Sequence, residues 1–177
     1  MNRKINTDLD TFPELKPGDV LLYGGTDLVS RGIQFRTWDD VAHVEIFAGN
    51  QLALASRNGL GVDRYLFRAE GLRYVRRPHA LTAEQWKAGL AWFEMQARGL
   101  PYGWGDLLRF YCVDVPTKGL ICSQFAARFF RECGAGWFAA DYPEGAESPR
   151  DFKVTPAATT VWAWPGADLV AAANKTI

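Results

Sequence analysis

Histidine is nearly absent from this chain: two in 177 residues, His43 and His79. Cysteine is scarce too, with Cys112, Cys122 and Cys133 only. An odd count without a Cys-x-x-Cys pair argues against a disulfide framework and against a structural zinc site, and reduced thiols are the simplest reading. Charge of one sign is missing, since 20 Lys and Arg balance 20 Asp and Glu. A neutral chain offers no electrostatic case for nucleic acid as the main partner. Long hydrophobic runs are also missing. No stretch approaches the roughly 18 apolar residues of a membrane-crossing helix. The stretch from Met1 to Leu15 is polar, interrupted by charges, and unlike a signal peptide. These absences predict a soluble protein, either cytoplasmic or delivered by a route that needs no signal peptide.

What is present suits one domain over residues 1–177, because 48% of the residues are hydrophobic and the length is ordinary for a domain. The seven Trp fit core filling or a substrate groove. Pro17-Gly18-Asp19 is turn chemistry ahead of a short buried strand, Val20 to Tyr23, which Gly24-Gly25 ends. Leu28 to Phe35 reads as a short helix. Val41 to Phe47 is the next strand, Gly49-Asn50 a hairpin turn, Leu52 to Ser56 the returning strand, and Leu72 to Arg76 a further one. Thr82 with Gln85 forms a capping box, followed by an apolar face of Ala83, Trp86, Leu90, Phe93 and Ala97. Gly99 and Pro101 close that helix near Arg98. A second helix is predicted over Trp104 to Tyr111. A third starts near Cys122, with Phe125, Ala126, Phe129, Phe130 and Cys133 on one face. Thr160 to Trp164 is a possible last strand. Strands first and helices after give an α+β domain with a small antiparallel sheet of three or four strands packed on helices.

With two histidines, the search for a general base is short. His43 lies in an apolar strand, where alternation puts His43, Glu45 and Phe47 on one face and Val44 and Ile46 on the other. A polar pair on a buried face needs partners or water. His43 alone reads equally as a satisfied structural histidine. His79, in a loop, reads as a surface residue. Cys122 opens a helix, where the first N–H groups have no intrahelical partner and the dipole is positive. Both effects stabilise a thiolate, especially beside an imidazolium. Alone, Cys122 reads as the first apolar position of its helix. Cys133 reads as core, and Cys112 as core or a helix end. Taken together, a cysteine at a helix start and a histidine on a strand describe the papain arrangement.

Six segments carry a more specific resemblance. Pro17-Gly18-Asp19-Val20-Leu21-Leu22-Tyr23, Ala42-His43-Val44-Glu45-Ile46-Phe47-Ala48-Gly49-Asn50, Ala55-Ser56-Arg57-Asn58-Gly59-Leu60-Gly61-Val62, Gly99-Leu100-Pro101-Tyr102, Leu120-Ile121-Cys122-Ser123-Gln124-Phe125 and Ser148-Pro149-Arg150-Asp151-Phe152 are each similar to elements of the NlpC/P60 superfamily. The histidine precedes the cysteine, which matches the circularly permuted branch that includes YiiX-like proteins and is related to lecithin:retinol acyltransferases. The resemblance covers roughly residues 16–155.

It implies a papain-like cysteine hydrolase, a peptidase or amidase acting on an amide or ester without metal or cofactor. Cys122 is then the nucleophile and His43 the base. Tyr102 becomes a candidate oxyanion donor, and Ser123 and Gln124 line the site. The implied substrate is a peptide bond of bacterial cell wall, with a lipid-linked acyl group second. The family usually orients its histidine with a polar residue on the following strand. Here that slot, Leu54-Ala55-Ser56, is largely apolar. Glu45 is the substitute on the same strand face, although its carboxylate could instead face Arg57. Ser56 and Asn58 are the fallbacks. The vacant slot also supports a rival reading, a binding module that kept the fold and lost turnover. A further rival is a phage or secretion-system component acting on cell wall.

Overall fold

The computed structural model describes residues 13–25, 28–103, 119–138 and 147–164. Six strands form one antiparallel sheet: β1 (Val20–Tyr23), β2 (His43–Gly49), β3 (Leu52–Arg57), β4 (Gly61–Leu66), β5 (Leu72–Pro78) and β6 (Ala158–Ala163). Their order across the sheet is β4-β3-β2-β1-β5-β6. The helices are α1 (Leu28–Thr37), α2 (Ala83–Trp92), α3 (Cys122–Glu132) and α4 (Pro149–Val154). This is the α+β architecture expected; the sheet holds the four strands most legible in the sequence, the possible last strand as β6, and β4 in addition.

The sheet is covered on both faces, which is why β1 reads as an unbroken apolar run. Val20, Leu22, Val44, Ile46 and Leu54 meet Trp92, Phe93, Phe125, Phe129 and Phe130 from α2 and α3. The opposite face carries Leu21, Tyr23, Phe47, Ala53 and Val75 beneath Leu15, Phe67, Val161 and Trp162. Alternation along β2 therefore sorts its residues as predicted. The β1–β2 register pairs Tyr23 with His43 and Leu21 with Glu45.

Several boundaries differ from the sequence reading, each for a local reason. The β2–β3 turn sits one residue later than expected. Asn50 and Gln51 both take positive φ (49° and 59°), as a tight hairpin turn requires, and Gly49 (φ 89°) absorbs a bulge before it. The edge strand β4 was not expected, because only Val62 of its residues packs in the core cluster. The helix from Ala83 becomes π-helical over Phe93–Ala97, ending where the Arg98 N–H reaches the Phe93 carbonyl at 2.8 Å. Helix α4 was also missed. It is a six-residue helix with Pro149 in its first turn, and the Asp151 carboxylate accepts from the Ser148 N–H at 2.7 Å. The helix predicted over Trp104 to Tyr111 and Cys112 lie outside the described residues.

Candidate active site

The N-terminus of α3 is unusual in its cap. Ile121 occupies the N-cap, and an isoleucine side chain has no acceptor for the orphan N–H groups of the first turn. Gln124 folds back to accept from the Ile121 N–H at 3.1 Å, which satisfies one donor from outside the helix. The Ser123 N–H is met by the sulfur of Cys122, which also accepts from the Val44 N–H of β2. The sulfur thus sits between a helix start and the first turn of a strand, where two amide dipoles point at it.

His43 is the first residue of β2, and its ring lies against that sulfur. Nε2 is taken by Glu45, whose Oε1 is 3.0 Å away. That leaves Nδ1 as the nitrogen available to the thiol. Burial raises the Cys122 pKa, but the imidazolium charge, its hydrogen bond and the two amides outweigh it and hold the thiol below its ordinary range. Burial likewise acts to lower His43, but the thiolate first and the Glu45 carboxylate second raise it to about 9. Each partner's charge therefore favours the charged form of the other.

Glu45 is fully buried, which alone would raise its pKa. The His43 ring and then the Arg57 guanidinium reverse that and hold it at about 2. Arg57 grips both carboxylate oxygens, Nε to Oε1 at 2.8 Å and one terminal nitrogen to Oε2 at 3.0 Å. Its guanidinium lies 4.3 Å from the ring centroid of Tyr65. The alternatives weighed for Glu45, His43 or Arg57, are thus both realised on one carboxylate. Tyr23 packs beside the His43 ring, with centroids 6.1 Å apart, and its hydroxyl donates to the Arg68 carbonyl at 3.1 Å. Burial, with Glu45 next, raises its pKa, so its hydroxyl stays protonated.

The remaining expected residues separate by place. Ser56 is buried and spends its hydroxyl on the Leu120 carbonyl at 2.5 Å, which ties the lead-in of α3 to β3. Asn58 is exposed on the groove wall in front of His43. Tyr102 bridges to Leu120 and packs with Ile33, Ala42 and Ile121, at the border of that groove and a small recess beside Cys122. Ser123 also lines the recess, with its Oγ buried and lacking a hydrogen-bond partner. Gln124 acts as the cap described above. Cys133, at the far end of α3, is packed in the core, and burial pushes its thiol up to about 12. His79 is exposed and meets the Thr159 hydroxyl at 2.7 Å. Sequence reasoning named Arg57 as a group the Glu45 carboxylate could face, but did not place Tyr23 beside His43. The first contact follows from the pairing of β2 with β3, and the second from that of β1 with β2.

This is an α+β domain in which a helix-start cysteine meets a strand histidine, and its fold is shared with a known structure. The metalloprotein YiiX from Escherichia coli O157:H7 superposes with a TM-score of 0.57 at 18% identity, over 85% of this chain and 98% of that one. Among curated proteins, the chain is 26% identical over 130 residues to the probable lipoprotein peptidase YaeF of Escherichia coli K12. That match takes in 71% of this chain and 47% of YaeF, so the chain spans about half the length of the curated relative. No family model matches the sequence. The structural likeness supports a YiiX-like fold. Among the described residues no helix is long and apolar enough to cross a membrane.

Proposed function

We propose that this chain is a cysteine hydrolase of the permuted papain-like kind, cleaving an amide or ester, with a peptide bond of bacterial cell wall as the leading substrate. The observation that carries the proposal is the continuous chain of contacts from buried Cys122 through part-buried His43 and buried Glu45 to part-buried Arg57. The name of the YaeF relative, a probable lipoprotein peptidase, supports a peptide amide. A lipid-linked acyl group is the second substrate class.

In the proposed reaction the Cys122 thiolate attacks the carbonyl carbon, forming a C–S bond and a tetrahedral oxyanion. The Cys122 N–H, helped by Tyr102, stabilises that oxyanion. His43 gives its Nδ1 proton to the leaving amine or alkoxide as the C–N or C–O bond breaks. Water then attacks the thioester, with neutral His43 taking its proton, and the acid leaves as the thiolate and imidazolium reform. Glu45 stays ionised throughout, fixing the tautomer and orientation of the ring. The binding-module reading rested on a missing third residue; Glu45 at 3.0 Å from Nε2 supports the catalytic reading over it.

YiiX is described as a metalloprotein. Among the described residues no three His, Cys, Asp or Glu side chains come together as a metal site. In addition, both oxygens of Glu45 are held by the Arg57 cation. This donor set does not fit a metal ion.

Iodoacetamide labelling of native protein from pH 5 to 9, with peptide mapping, tests the proposal. Cys122 is expected to label well below the ~8.5 of a free thiol, and Cys133 to stay silent. His43→Ala should move the Cys122 profile to higher pH. Equal labelling of Cys133, or a profile indifferent to His43→Ala, would overturn the nucleophile assignment.

A further inference from the structure

His43 opens onto a groove of about 700 Å³ whose charged lining is mostly arginine: Arg57, Arg68 and Arg73. Glu70 is the one carboxylate among the described lining residues. The three cations are not equivalent. Arg57 is committed to Glu45 through two hydrogen bonds. Arg68 reaches the same carboxylate only at 3.9 Å, after Arg57 and His43 have taken its oxygens, and half of its side chain is exposed. Its guanidinium is held over the Tyr23 ring at 5.3 Å. Arg73 is held over the Trp164 ring at 4.6 Å, and its buried Nε has no hydrogen-bond partner. Stacking on an aromatic face fixes a guanidinium plane without using its N–H donors. Two orientated forks therefore face a groove in which little negative charge answers them.

We propose that Arg68 and Arg73 form a subsite for an oxyanion of the substrate, a carboxylate or a phosphate, in the groove beside His43. The inference rests on the hydrolase reading above and narrows its substrate class to anionic amides or esters. A planar fork pairs with two oxygens of such a group, which gives orientation as well as attraction. The position suits orientation of the scissile bond: Arg68 approaches the very Glu45 oxygen that His43 contacts. An anion bound there lies within the polar network that holds the imidazolium, and its distance from the attacked carbonyl is set by protein geometry.

Two measurements test the subsite. In the first, glutarate and inorganic phosphate are titrated into the whole protein by calorimetry, for wild type, Arg68→Gln and Arg73→Gln. Saturable binding is expected for wild type, weakened about tenfold or more in each variant, the scale of losing one charge-assisted pair. In the second, 4-nitrophenyl esters of equal acyl length ending in a carboxylate, a phosphonate or a methyl ester are compared by kcat/KM. Wild type should favour at least one anionic ester about tenfold over the methyl ester, with the preference falling towards unity in both variants. The carboxylate and phosphonate arms tell a peptide-like anion from a phosphate-bearing one. Absence of saturable binding, or a preference that survives both substitutions, overturns the subsite. Hydrolysis of all three esters at equal rates overturns the subsite and leaves the hydrolase reading standing. Arginine-dependent anion binding with no ester hydrolysis and an unreactive Cys122 does the reverse.

Discussion

Three side chains bear on the protonation state of Cys122, and each supports the next. His43 supplies the positive charge beside the sulfur; the thiolate first and Glu45 second favour that charge on the ring; the His43 ring first and Arg57 second hold Glu45 ionised. Glu45→Gln removes the carboxylate's charge and keeps its shape. The His43 pKa should drop from about 9 towards its ordinary value, and the thiol should rise. Cys122 alkylation at pH 6 is expected to slow by roughly tenfold or more, one pKa unit corresponding to about 1.4 kcal/mol. The substitution also strands Arg57 without its anion and should cost about 1–3 kcal/mol by urea denaturation, without unfolding the protein. Unchanged alkylation would remove Glu45 from the orienting position proposed for it. Ser56 acts differently, through the backbone. Ser56→Ala removes the 2.5 Å donor to the Leu120 carbonyl, which keeps the Gly103 N–H at 3.2 Å, and should cost about 0.5–1.5 kcal/mol. The His43-dependent shift in the labelling profile should nevertheless persist, since Nε2 is occupied by Glu45. Loss of that shift in Ser56→Ala would mean that the anchor of α3, rather than Glu45, governs the ring.

At the scale of elements, the site depends on how closely α3 can approach its neighbours. Helix α2 carries Gly89 where it crosses α3, and a Cβ there would meet Cys133 Sγ and come within 2.8 Å of the Phe129 ring. In an exposed helix interior, Gly→Ala stabilises by about 1 kcal/mol. Here the steric cost of overpacking, about 1–3 kcal/mol, outweighs that gain. Gly89→Ala should therefore lower the urea midpoint, and a raised midpoint would show that the two helices have room to part. Helix α4 braces the far side of the sheet's entry. Lys153 bridges Asp39 at 2.8 Å and Asp40 at 2.6 Å, and Arg150 donates to the Thr37 carbonyl at 3.1 Å. These contacts fasten the segment between α1 and β2, the segment that delivers His43. A short motif near the end of the chain thus has a mechanical reason to accompany a histidine more than a hundred residues earlier.

For the molecule as a whole, the ionised site couples folding to pH. Glu45 is depressed to about 2 in the fold, against an ordinary carboxylate value. Its share of stability is present above the unfolded value, roughly 4.3, and is lost as pH falls through about 2. His43 is raised, so its share is full below roughly 6.5 and is lost as pH rises through about 9. Cys122, lowered, has its share above the ordinary thiol value and loses it as pH falls through the folded one. The measurement that isolates one of these is the stability difference between wild type and Glu45→Gln, followed from pH 6 to pH 2. It should be constant at the upper end and shrink below about pH 4. A difference that stays constant down to pH 2 would mean that Glu45 is not held ionised in the folded protein.

The sequence by itself determined the local facts. Alternation in β2 set His43 and Glu45 on one face, because a strand has a period of two whatever surrounds it. Capping and spacing located α2 and the Cys122 helix, because helix termini and apolar stripes are short-range patterns. Tertiary structure decided which of these local facts meet. The order of β1, β2 and β3 brought Tyr23 and Arg57 to either side of His43 and Glu45. Tyr23 is not close in sequence to the strand it serves, and no periodicity within that strand points to it. The edge strand β4 and the short helix α4 were illegible because each has too few buried side chains to impose a pattern, and α4 is in addition held by partners distant in the chain. Whether Glu45 faced His43 or Arg57 was also open in the sequence. A carboxylate has two oxygens and several lone pairs, so it could take both, and only the three-dimensional arrangement placed both within reach.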